Sequence, residues 1–224
     1  ATDIPDLPAT KITSGTFPAL NGSNLTNLDA SDLTGTLPAI SGANLTGIAT
    51  DYVKLATATA SGSATSVAVD GYFSSTYDKY ILYCTNFRST NDNSYITARY
   101  NISNSAASGS NYQYVIDSLY KHQNGSVSND NSGGWNDSAF RCHSNTVDLD
   151  SNYMGHFYLE IFHPLSGGHK TTLITHGHGV YDQSLHIGGK GSVQYLGSTS
   201  AITGFTFYIS TGNMYGTFTL YGIK

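Results

Sequence analysis

The sequence predicts an all-β chain: an extended repeat stalk followed by an antiparallel β-sandwich or jelly-roll head. Three observations carry that prediction. First, Ser (28), Thr (26), Gly (24) and Asn (17) make up about two in five of the 224 residues, and Glu160 is the sole glutamate. Helix surfaces draw on Glu, Lys, Arg and Gln, whereas Ser, Asn and Gly suit turns and Thr and Tyr suit strands. Second, apolar and polar residues alternate in short runs over much of the chain, the pattern of half-buried strands. Third, residues 1–51 contain no Tyr, Trp, His or Cys, while all 17 Tyr and all eight His come later. That break near Asp51 divides the chain into segments 1–51 and 52–224. An aromatic content of 12% and a hydrophobic content of 39% can build a core, which excludes full disorder.

The first segment repeats. The stretch from Gly15 to Leu28 aligns without gaps on the stretch from Gly35 to Ile48, a period of 20 residues with eight identities in fourteen positions. Its apolar residues are Ile12, Phe17, Leu20, Leu25, Leu28, Leu33, Leu37, Ile40, Leu45 and Ile48, spaced by 3, 4 or 5. That spacing is neither a helix period nor a strand period. Pro5, Pro8, Pro18 and Pro38 keep the backbone extended and turning. Its Asn-Leu-Thr units resemble pentapeptide repeats, but two coils of such a solenoid bury very little. Three parallel copies could bury the spaced apolar residues around a threefold axis. The expectation is therefore a stalk stable only as a homo-oligomer, a homotrimer. The competing reading is a flexible linker, and regular large apolar residues argue against it.

The second segment reads as strands at 52–60, 65–72, 77–87, 94–102, 111–121, 138–149, 153–163, 171–181, 184–196, 202–210 and 215–223, separated by Gly, Asn, Ser or Pro clusters. Alternation puts Phe157, Leu159 and Ile161 on one face, with Glu160 on the other. Phe205, Phe207 and Ile209 share a face in the same way, as do Phe218 and Leu220. Cys84 and Cys142 lie in strand-like runs at no metal-ligand spacing, and are expected as reduced core residues.

Two sets of residues resemble a known family. Ile12-Thr-Ser-Gly-Thr-Phe-Pro and Ser41-Gly-Ala-Asn-Leu-Thr-Gly-Ile48 look like shaft modules of tailed-phage fibres, especially those of cyanophages and marine phages. Phe73-Ser-Ser-Thr-Tyr-Asp-Lys-Tyr80 and the ending from Ile202 to Ile223 look like the C-terminal β-domains that close such virion proteins. The resemblance implies a homotrimeric fibre or spike on a virion, assembled in the bacterial host cytoplasm. It implies contacts between the N-terminal region and other virion proteins, and a head that binds a host-surface receptor such as a polysaccharide. The alternative is a capsid decoration, head-fibre or tail-assembly protein without receptor binding. An isolated carbohydrate-binding module is a further class.

Charge and motifs narrow the chemistry. A net charge of −5 argues against nucleic acid as a partner, and no run of 18 apolar residues supplies a membrane span. No basic-then-apolar leader is read at the start. Catalysis is not expected. Ser118-Leu-Tyr-Lys121 lacks the companion motifs of a serine–lysine enzyme, and Gly167-Gly-His-Lys-Thr171 lacks the order of a phosphate loop. His176-Gly-His178 would put two imidazoles on one strand face, a metal half-site that three chains could complete at a trimer axis; otherwise they are polar face residues. No other cofactor is expected. Asp148-Leu-Asp150-Ser-Asn152 echoes a calcium loop, but an Asp/Asn-rich turn explains it better.

Receptor binding is expected from Tyr112, Tyr114, Tyr120, His122, Trp135, Asn136 and Asp137. They form an aromatic stretch that runs into a polar loop holding the only Trp. Aromatic faces stack on sugar rings, and amides and carboxylates hydrogen-bond hydroxyls; Trp135 could equally fold into the core or a trimer interface.

Overall fold

The computed structural model describes residues 51–143, 154–167, 172–182 and 185–224. The ten apolar stalk residues between 12 and 48, and the Asp/Asn-rich stretch at 148–152, lie outside the described residues.

In chain order the strands are β1 (Tyr52–Ala64), β2 (Ser66–Asp70), β3 (Lys79–Ser89), β4 (Ile96–Ile102), β5 (Ser105–Ala106), β6 (Tyr112–His122), β7 (Val127–Asp137), β8 (Phe140–Arg141), β9 (Gly155–Phe162), β10 (Thr172–Asp182), β11 (Leu185–Tyr195), β12 (Gly204–Ile209) and β13 (Met214–Ile223). No helix occurs among the described residues. All pairings are antiparallel, in two sheets. The larger has eight strands in the order β1-β13-β3-β9-β10-β11-β6-β7; the smaller runs β2-β12-β4-β5, with β8 on β4.

Alternation builds the core as the residue pattern requires. Met214, Gly216, Phe218 and Leu220 of β13 are buried while Tyr215, Thr217 and Thr219 between them are half-buried. Phe157, Leu159 and Ile161 of β9 face inward too. Rings from the two sheets meet in the middle: Phe207 of β12 lies 4.6 Å from Phe218 and 6.1 Å from Phe157. Tyr100 of β4 lies 5.6 Å from Tyr112 of β6 and 5.8 Å from Tyr195 of β11. Removing one such ring costs about 3–5 kcal/mol. Cys84 and Cys142 are free and buried in this core, and burial pushes both thiols well up. Glu160 lies on the outward face, 3.6 Å from the Lys79 ammonium, in a half-buried surface pair that contributes little to stability.

Two predicted elements differ. Of the run 138–149, only Phe140–Arg141 is a strand among the described residues. The polar stretch expected as a loop is instead β7, which pairs with β6 from Lys121↔Val127 to Tyr112↔Asp137. Ser, Asn, Asp and Gly have little strand preference of their own, so β7 owes its extended backbone to the β6 ladder.

Candidate functional site

The β6–β7 hairpin forms one end of the larger sheet. Its turn is set by Asn124-Gly125: Gly125 takes a φ of +88°, its N–H donates to the His122 carbonyl at 3.0 Å, and Asn124 Oδ1 accepts from the Ser126 N–H at 3.0 Å. At the other end, Asn136 is an inserted residue. Tyr112 pairs with Asp137 and Gln113 with Trp135, so Asn136 forms a β-bulge with φ +61°. The bulge reverses the facing of the last residue. Trp135 points outward beside Gln113, and Asp137 turns inward toward Tyr114 and Gly134. A Cβ at Gly134 would collide with the Asp137 carboxylate and the Tyr114 ring.

Trp135 is 74% exposed. Gln113 is its neighbour across β7, and Gln194 of β11 stands opposite Gln113 on the far side. With Val115 and Ser192 they line an open hollow of about 390 Å3 on the outward face. An indole beside two amides offers one apolar plane together with both donors and acceptors.

The seven residues expected to bind a receptor do not form one surface. Tyr112 and Tyr120 are buried at 0% and 6%, and this corrects their expected role. The Tyr112 hydroxyl donates to the Ala107 carbonyl and accepts from the Tyr100 N–H, each at 2.9 Å, and burial pushes its phenol well up. Tyr114 is half-buried on the inward face, hydrogen-bonded to Asp137 and Ser132; burial raises its phenol, with the Arg141 charge opposing and Asp137 adding. His122 faces its Ser128 neighbour, Nε2 to Oγ at 2.9 Å. Only Trp135 presents its ring to the outward face. Strand alternation is the cause: residues of β6 at even positions point into the core, and those at odd positions point out. Ser118 and Lys121 fall on opposite faces for the same reason.

The residues missed from sequence are Gln113, Val115, Ser192 and Gln194. Alternation within β6 and the pairing of β11 bring them to Trp135.

The other half of the outward face carries a tyrosine row. Tyr52, Tyr221, Tyr83 and Tyr158 come from β1, β13, β3 and β9, with successive ring centroids 6.4, 5.9 and 5.6 Å apart. Ile81 shares the outward face of β3 and pairs with Tyr221 and Glu160, yet it is only 4% exposed. Burial raises the Tyr83 phenol, helped by Tyr52, Tyr158, Tyr221 and Glu160 nearby.

His176 pairs with Tyr158 and Lys190, and His178 with His156 and Gly188. The side chains of both lie outside the described residues. Among the described residues no three His, Cys, Asp or Glu groups stand together as a metal site.

No family model, no curated protein and no solved structure matches this chain.

Proposed function

We propose that the head is a non-enzymatic glycan-binding domain, carried on a trimeric virion fibre that attaches a phage to the surface of its bacterial host. The observation that carries the glycan reading is Trp135, 74% exposed on a sheet face at the end of a row with Gln113 and then Gln194. An indole held on paired strands stacks on a sugar ring with little loss of chain entropy, and the amides select hydroxyls. The virion setting comes from the likeness of the repeat modules and the β-domain ending to phage fibres. Three weak sites on one fibre, and many fibres on a particle, give avidity without a tight single site.

A second reading, a structural decoration or assembly protein, is favoured by the tyrosine row. A Tyr-rich face over a buried Ile81 suits protein contact as well as sugar.

The test uses the single tryptophan. Trp135 emission should shift when a recognised glycan or host envelope fragment is added, and Trp135→Ala should abolish binding to host cells with an unchanged unfolding temperature. Unaltered cell binding by Trp135→Ala would remove the glycan reading of this site and favour the structural one.

A further inference from the structure

We infer that the Trp135 hollow is one end of a longer trough whose ligand is a neutral, linear polysaccharide bound along its length. This rests on the glycan-binding reading of the Trp135 site and extends it. Three hollows lie in series along the outward side of β6 and β11. The first is the hollow of about 390 Å3 at Trp135. The second, about 290 Å3, shares Val115 and Ser192 with it and passes Asp117 and Lys190. The third, about 300 Å3, runs from Gly188 and Leu119 to Lys121, Val127 and His186.

The register explains their alignment. Gln194 stands opposite Gln113, Ser192 opposite Val115, Lys190 opposite Asp117, Gly188 opposite Leu119 and His186 opposite Lys121. Same-face rows in a sheet are two residues apart, so these rows extend about 27 Å. Ser192 and Gly188 leave low points between the longer Gln194, Lys190 and His186 of β11, and no atom lies within 4 Å of where a Gly188 Cβ would stand. The wall is apolar, with Val115, Leu119, Val127 and Trp135 at 54%, 56%, 60% and 74% exposure.

Composition along the trough selects the ligand. Apolar side chains at Trp135, Val115, Leu119 and Val127 are interrupted by amides at Gln113 and Gln194 and by Asp117, Asn131 and Lys190. A chain of sugar rings repeats the same alternation of C–H faces and hydroxyls. Charge favours a neutral chain. Asp117 and Lys190 face each other as one anion and one cation, the Lys121 ammonium donates to the Gly125 carbonyl, and the protein carries −5. Lys121 is thus the one lysine of the trough without a carboxylate facing it in the ladder, a weak attraction for a polyanion on a protein of net −5.

The experiment measures affinity for disaccharides and hexasaccharides of cellulose, xylan, dextran, mannan and agarose, with alginate oligomers as the acidic comparison, by calorimetry on the full chain. The expected result is binding about tenfold tighter for a hexasaccharide than for its disaccharide, as added units fill further subsites. Gly188→Phe, which fills the open floor, should reduce the hexasaccharide to disaccharide affinity without changing the disaccharide. Leu119→Ser provides a second change at the far hollow with the same expectation, and circular dichroism checks both folds. Affinity independent of length, a hexasaccharide indifferent to both changes, or preference for alginate overturns the inference while leaving a sugar site at Trp135. If none of these oligomers binds, the glycan reading falls and takes the inference with it.

Discussion

Two tyrosine hydroxyls in the middle of the molecule have no access to water. Tyr100 and Tyr112 are both 0% exposed, and burial pushes both phenols above their usual value. The folded state therefore holds their protons more tightly than the unfolded chain does. The stability this contributes is complete below the ordinary phenol range and is lost as pH rises past it. The unfolding temperature should hold from about pH 8 to about pH 9.5 and fall by about pH 11, because ordinary phenols titrate near 10. Ultraviolet phenolate absorbance against pH checks this. A core step that appears only with unfolding is expected; phenolate formation by these two groups in the folded protein would contradict it. Trp135, at the opposite extreme of exposure, is a residue whose loss should affect binding and not folding.

The element that matters most for the site is β7, and its bulge is the detail that orients it. Asn136 sits at φ +61°, where Asn and Gly are tolerated and β-branched residues are strained. Asn136→Gly should leave stability nearly unchanged, and Asn136→Val should cost about 1–2 kcal/mol. Chemical denaturation of the two variants measures the difference; equal stabilities would mean the bulge relaxes without penalty. Deleting Asn136 would restore plain alternation and keep Asp137 inward opposite Tyr112, because it would then directly follow the outward-facing Trp135. The sequence carries one signal for this element that the loop reading passed over. The Asn124-Gly125 pair is a hairpin signal between two runs, and it marks the turn that joins β6 to β7. The rest was not legible, because a strand of Ser, Asn, Asp and Gly has no apolar alternation to show. Such a strand is recognisable only from the partner that hydrogen-bonds it.

At the scale of the whole molecule, the two sheets separate structural from surface chemistry. Their facing sides hold the aromatic core, and the outward side of the larger sheet holds both the Trp135 trough and the tyrosine row. The stalk repeat carries the expectation of assembly. Light scattering should give three times the chain mass, and serine at Leu25 and Leu45 should shift the mass toward one chain while the head still unfolds cooperatively. A monomeric parent protein would end the stalk argument.

Local sequence was enough for the all-β class, for the inward faces of β9, β12 and β13, and for the buried, reduced cysteines. Each depends on the alternation or burial preference of neighbouring residues along the chain. It was not enough for the site. Tyr112 and Tyr120 stand closer to Trp135 in sequence but on the opposite face, while Gln194 lies 59 positions away from Trp135 and shares its hollow. Which side chains share a surface depends on strand register, and register is set by hydrogen bonds between distant segments and by one inserted residue at 136. Only the paired sheet contains that information, because a shift of one residue moves every side chain to the other face.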